Sequence, residues 1–304
     1  MTPIDIVVPY VNNSDPIWLK EFLRYKSNNG DRGSNRFRDL AIFKYFFRGV
    51  DKCCPWVNNL FVVVQGESQV PKWLNKDNPK IKIVYHSDYI PKSYLPTFNS
   101  NVIEDFIYRI PNLSKNFIYC NDDMIFLKPL QPTDFFDNGR PIGVKRIDTE
   151  SYKKNGTSIF HHMLFNTVMS FNLIAKTGKL IKYKDFHLPI PYDKSIWEST
   201  WEHHGKKIED SLKGSTFRLP KNIIHWLFYY LQMYTGITKD DPNYLLQNGY
   251  LSLSDTSKPE DIRNKLDTAA AICINDCIKN NMGIVKKCKD LLEQHFPEKS
   301  SYEL

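Results

Sequence analysis

Short apolar runs closed by turn-forming residues alternate with segments of helical periodicity along the first half of the chain. Residues 4–11 are almost continuously apolar and end in Asn12-Asn13-Ser14-Asp15-Pro16, the pattern of a buried strand followed by a turn. Residues 17–30 read as a helix ending on Asn-Gly, and a polar, basic loop occupies 31–35. Leu40, Phe43, Phe46, Phe47 and Val50 recur at helical spacing and predict a helix over 40–53. Residues 59–64 and 81–86 predict two further buried strands, 97–108 a helix and 116–120 a strand. That order predicts an α/β core on a parallel sheet, where ligands sit beyond the carboxyl ends of the strands. The second half changes character. Residues 187–201 and 223–234 read as aromatic-rich helices, 251–259 as a linker and 283–295 as a final helix, with no internal repeat.

Composition narrows the function classes. The 304 residues suit one large α/β domain or a domain with a smaller helical part, and 41% hydrophobic residues exclude global disorder. The net charge of +7, from 41 basic against 34 acidic residues, suits an anionic substrate or an anionic membrane surface. No long basic run with interleaved aromatics is present, so nucleic acid is not an expected partner. The amino terminus lacks a basic signal-like region, and no stretch approaches the roughly 18 apolar residues of a membrane span. Six cysteines without framework spacing read as reduced, mostly buried thiols, and a cytoplasmic protein is expected.

Three constellations offer chemistry. The strand over 116–120 runs straight into Asn121-Asp122-Asp123. Two carboxylates and an amide there can hold a hard cation, Mg2+ or Mn2+, against a diphosphate. The same residues also serve as turn and capping residues, and spacing alone does not choose between the two. Asn35-Arg36-Phe37-Arg38-Asp39 sets two guanidinium forks at a loop-to-helix junction, suited to phosphate or to surface ion pairs, with Asp39 starting the helix. Phe186-His187-Leu188-Pro189-Ile190-Pro191 holds an imidazole in a proline-stiffened loop, a candidate general base or a structural histidine. Arg218, in Ser215-Thr216-Phe217-Arg218, is a cation of equally open role.

Taken in order, these segments resemble the four regions of the Stealth family. That family comprises bacterial capsular polysaccharide phosphotransferases and the catalytic part of eukaryotic N-acetylglucosamine-1-phosphotransferase. The first region resembles residues 4–18, with Asn12-Asn13 where the family commonly has an aspartate. The second covers 36–136 and includes Arg36-Phe37-Arg38-Asp39, Leu95-Pro96-Thr97-Phe98-Asn99-Ser100-Asn101 and the acidic turn. The third resembles His187-Leu188-Pro189-Ile190-Pro191 through Arg218 and the helix after it, and the fourth resembles Cys273-Ile274-Asn275-Asp276 with the ending from Phe296.

The resemblance implies a Rossmann-like, GT-A-like nucleotide-sugar-binding core over 1–150. It implies a helical, aromatic-rich acceptor-side part over 151–304, joined to the core in one catalytic domain. It implies transfer of a hexose-1-phosphate, commonly N-acetylhexosamine-1-phosphate, from a UDP-sugar to a hydroxyl on a polysaccharide or lipid-linked oligosaccharide. UMP is released, with Mg2+ or Mn2+ as cofactor. By the same resemblance Asp122, Asp123, Glu104, His187 and Arg218 are catalytic, His187 as base and Arg218 as stabiliser of phosphoryl charge. Asp122, Asp123, Asn275 and Asp276 would hold the metal. Tyr10, Asn12, Asp15, Arg36, Arg38, Asn99, Asn101 and Asn121 would contact the nucleotide-sugar, although Arg36 and Arg38 can equally brace the acidic loop. Two rival readings stand beside it: a metal-dependent glycosyltransferase that releases UDP, and a non-catalytic glycan-binding module. Peripheral contact with the inner face of the cell membrane, through loops or basic patches, is a further expectation.

Overall fold

The computed structural model describes residues 2–148 and 158–304. The first apolar run forms strand β1 (Ile4–Pro9). Asp15 then caps helix α1 (Pro16–Tyr25), its carboxylate accepting from the N–H groups of Ile17 and Trp18. This helix stops short of the one read over 17–30. The chain turns toward Gly30, whose φ of +133° suits glycine, and a Cβ there would lie 2.5 Å from Phe217. Helix α2 (Phe43–Cys53) and strands β2 (Leu60–Val64) and β3 (Ile81–Tyr85) follow in the expected order. Short helices α3 (His86–Tyr89) and α4 (Ser100–Asp105) precede strand β4 (Asn116–Tyr119). The helix read over 97–108 therefore contracts to its centre, because Asn99 caps it by accepting from the Asn101 N–H.

Strands β5 (Met124–Phe126), β6 (Phe136–Asp137) and β7 (Arg140–Gly143) come next, then helix α5 (Ile159–Ala175). Strand β8 (Ile190–Asp193) leads into helices α6 (Ser195–Leu212) and α7 (Trp226–Tyr234). The chain closes through β9 (Lys239–Asp240), β10 (Tyr250–Leu253), α8 (Pro259–Thr268), β11 (Ala271–Asp276) and α9 (Gly283–His295).

Two expectations give way here. Residues 187–201, read as one helix, divide into β8 and the start of α6. Proline cannot donate to a ladder, and β8 carries Pro191 because it is an edge strand. The supposed linker over 251–259 begins inside β10, which buries Leu251 and Leu253 and exposes Tyr250 and Ser252.

The central sheet has the order β3-β2-β1-β4-β8, parallel throughout except for β8. The architecture is thus mixed α/β on a central parallel sheet, with a helical, aromatic-rich C-terminal part. Both faces are buried, so the strands read as continuous apolar runs rather than alternating ones. Ile6, Val8, Val62 and Val64 pack on Phe46 and Phe47 of α2. Val7, Val63, Phe117 and Tyr119 pack beneath α5, α6 and α7, where Trp197 stacks on Phe228 at 4.2 Å. A second sheet, β10-β11-β5, abuts the first. The boundary drawn between 150 and 151 lies outside the described residues. The six cysteines are free, five buried and Cys277 exposed. Among the described residues no helix is long and apolar enough to cross a membrane.

Candidate active site

The strand order reverses between β1 and β4, the point where open α/β sheets leave a crevice beyond their carboxyl ends. Here it is a cavity of about 300 Å3. Tyr10 enters it from the end of β1, Asn121, Asp122 and Asp123 from the end of β4, and Asn275 and Asp276 from the end of β11. The acidic turn is fixed on both sides. β4 sits in the central sheet, β5 begins at Met124 in the second sheet, and the Asp123 carbonyl accepts from the Ile274 N–H at 2.9 Å.

Burial pushes both acidic side chains upward. For Asp122, burial comes first, followed by the neighbouring charges of Asp123 and Asp39. For Asp123, burial outweighs the lowering by His187 and the Cys273 thiol. Asp123 Oδ1 is buried with no hydrogen-bond partner among the described residues. An uncompensated carboxylate pair with an orphaned oxygen is a donor set that fits a hard cation. No group of three or more His, Cys, Asp or Glu among the described residues is arranged to hold a metal. A cation here would therefore draw its remaining ligands from Asn275, a diphosphate and water. Asp276 is otherwise engaged, since Arg38 grips both of its oxygens at 2.6 Å and also donates to the Ile278 carbonyl.

The opposite wall carries Glu104 and Arg218. The Arg218 guanidinium donates twice to Ser100 Oγ, at 3.0 and 2.6 Å, and among the described residues no carboxylate lies within ion-pair distance of it. The Tyr119 hydroxyl lies 3.0 Å from Glu104 Oε1 and 2.8 Å from Asn121 Oδ1, tying this wall to the acidic turn. Burial pushes Glu104 up to about 7 against the opposing pull of Arg218, Tyr119 and Ser100. His187 enters from the loop before β8 with a left-handed φ of +49°. Its ring meets Trp226 and Tyr250 edge-on, at 6.1 and 5.8 Å.

Twelve of the fifteen residues singled out in the sequence line this cavity, and Asn12, Asp15 and Asn99 do not. Asp15 is the helix cap and also accepts from Ser68 and Gln69. Asn12 closes its own turn by accepting from the Ser14 N–H. Asn99 is fully buried and donates to the Ser215 and Phe217 carbonyls and to Asn222. Arg36 pairs with Asp31 and Arg38 with Asp276, so neither braces the acidic loop.

Other wall residues were not expected in the site. Asp39, read as a helix starter, lies four residues ahead of α2 and accepts from the Tyr10 hydroxyl at 2.8 Å. His225 packs 4.5 Å from Tyr119, lies 3.1 Å from the Tyr192 hydroxyl, and is driven down to about 3 by burial and then by His187. His86, at the end of β3, is likewise driven down to about 3 by burial, and its Nδ1 has no partner.

A family profile described as Stealth protein CR2, conserved region 2, matches residues 36–142. The chain is 35% identical to a capsular polysaccharide phosphotransferase, WcwK, of Streptococcus pneumoniae, over 99% of this chain and 98% of that protein. It is 31% identical to a receptor polysaccharide phosphotransferase, WefC, of Streptococcus oralis, over 100% of both. A galactosyltransferase, LgtC, solved with donor and acceptor sugar analogs, aligns over 95% of both chains at 11% identity and a TM-score of 0.45.

Proposed function

The chain belongs to the Stealth family and is a transferase, and from that premise we propose that it moves a hexose-1-phosphate from a UDP-sugar to a sugar hydroxyl of a bacterial surface polysaccharide. The observation that carries the reading is the composition of the cavity beyond β1 and β4. Among the described residues, a carboxylate pair with an orphaned oxygen, an arginine without a carboxylate partner and a histidine between aromatic rings converge there from both halves of the chain.

Phosphoryl transfer demands positioning and charge neutralisation more than covalent chemistry. Arg218, oriented by Ser100, is placed to meet the charge that develops on the transferred phosphoryl oxygens. Glu104 and Tyr119 hold that wall in register with Asn121. Bound at Asp122, Asp123 and Asn275, Mg2+ or Mn2+ would neutralise diphosphate charge. His187 takes the proton from the acceptor hydroxyl as its oxygen bonds to the sugar-linked phosphorus. The bond from that phosphorus to the bridging oxygen breaks, and UMP leaves with that oxygen. We assign Tyr10, which follows β1, and Asp39, which accepts from its hydroxyl, to the nucleoside end, and we infer an N-acetylhexosamine as the donor sugar.

Mass spectrometry of the nucleotide product tests the reaction class. The purified protein, given a panel of UDP-sugars with magnesium and an acceptor glycan, is expected to yield UMP and a phosphodiester-linked product. UDP as the product would establish glycosyl transfer instead. Glycan binding without any turnover would establish a binding module.

A further inference from the structure

Helix α1 has two faces of opposite demand. Its inner face buries Trp18 and Phe22 in an aromatic cluster with Phe37, Phe98 and Phe217. Trp18, Phe37 and Phe98 of that cluster also line the catalytic cavity, so the helix forms one of its walls. The outer face should be polar in a helix whose other side meets water. It is not. Ile17 is 68% exposed, Leu23 52% and Leu19 40%. A shallow groove bounded by Pro16, Leu19, Lys20, Leu23 and Arg24 runs along it.

The charges on this face have one sign. Lys20, Arg24 and the C-capping Lys26 are exposed. Glu21 is the only acid within the helix, and it is turned aside to accept from the Gln65 side-chain amide. Exposed aliphatic residues scattered singly need no explanation, but three of them interleaved with cations on ten residues do. Aliphatic side chains reach the acyl boundary of a bilayer while lysine and arginine extend their heads to lipid phosphates. Each such cation adds to the attraction at an anionic surface.

We propose that the outer face of α1 docks this enzyme on an anionic membrane surface, bringing the wall of the catalytic cavity to the lipid headgroups. The inference rests on the proposed transfer only for its purpose, since docking would meet an acceptor carried on a lipid. Binding itself is independent of the reaction.

The experiment is co-sedimentation of the full chain with phosphatidylcholine vesicles, with and without phosphatidylglycerol, in parallel with UDP-sugar turnover in solution. The wild type should partition onto the phosphatidylglycerol vesicles and not onto phosphatidylcholine alone, with binding weakened by added salt. Ile17→Ser with Leu23→Ser, and separately Lys20→Glu with Arg24→Glu, should each reduce partitioning on the order of tenfold or more. All these side chains are solvent-exposed and lie off the cavity, so turnover in solution should stay at the wild-type level. Wild type that ignores the anionic vesicles, or variants that bind as it does, would overturn the proposal. So would a concentration-dependent dimer that the Ile17 and Leu23 changes abolish, which would assign the face to a second copy. Failure of turnover with vesicle binding intact would remove the transfer reading and leave the docking standing.

Discussion

Glu104 shows what a mixed environment does to one carboxyl group. It is 8% exposed, and burial lifts it to about 7 although Arg218, Tyr119 and Ser100 pull it down. A carboxyl whose folded value exceeds its unfolded value of 4.5 takes up a proton on folding. The stability it contributes is complete below that unfolded value and is lost as pH rises to about 7. Glu104→Gln keeps an acceptor for the Tyr119 hydroxyl and removes the titration. We expect its melting temperature to depend less on pH across this window than that of the wild type, and to gain on it above neutrality. Equal pH dependence in the two proteins would rule out a burial-driven shift. Asp123→Asn and His187→Ala are expected to cut transfer by at least about a hundredfold while melting cooperatively. Full activity in both purified variants would remove them from the mechanism. Asp122 and Asp123 stood out in the sequence as two carboxylates at a strand end, and Arg218 only through the family resemblance. His86 and His225 did not. A lone histidine has no local signature, and only the meeting of β3 and α7 at one cavity marks them.

At the level of elements, the chain end is fastened rather than left free. Arg48 of α2 is 5% exposed and reaches Glu303 with Nε at 2.9 Å and Nη2 at 3.1 Å, while Nη1 donates to the Phe296 carbonyl. Burial works to raise Glu303, but Arg48 and the Ser300 N–H prevail and hold it below the usual glutamate value. Its contribution is therefore present at neutral pH and is lost as acid takes the pH through the lowered value. The Leu304 and Asn75 N–H groups add backbone bonds to Trp73 and Tyr302 across the same seam. Removing one partner of a buried pair leaves the other charge unpaired, at a cost of about 3–5 kcal/mol. Arg48→Met should lower the urea midpoint accordingly, and Arg48→Met with Glu303→Gln should recover part of the loss. A double variant no more stable than the single one would mean that the pair is not coupled. The strands beneath α2 were legible because burial on both faces gives unbroken apolar runs. β8 was hidden by its prolines, which an edge strand tolerates, and β10 by a serine-rich flank. The turn at Gly30, past the end of α1, packs against Phe217, a contact that local sequence does not contain.

Over the whole molecule, the two halves of the chain complete each other's sheets. β4 receives β8 along four residue pairs from Asn116–Asp193 to Tyr119–Ile190. β5 receives β11, and the Ile274 N–H caps the Asp123 carbonyl. Phe117 and Tyr119 are covered by Tyr192, Trp197 and His225, all from the second half. We read the chain as one integrated catalytic domain on these grounds. A fragment ending at residue 148 would lose β8 beside β4 and β11 beside β5, and leave the aromatic face of β4 in water. At roughly 1.5–3 kcal/mol for each large side chain, exposing Phe117 and Tyr119 alone costs roughly 3–6 kcal/mol, a large share of a domain's net stability of about 5–15 kcal/mol. Expressed alone, that fragment should show no cooperative thermal transition and should bind a hydrophobic dye. The full chain should unfold in one transition seen alike by near- and far-ultraviolet circular dichroism. A fragment that melts cooperatively, together with two separated transitions in the full chain, would show that the core folds by itself. His187, Arg218 and Asn275 would then reach Asp123 only by docking of a second domain.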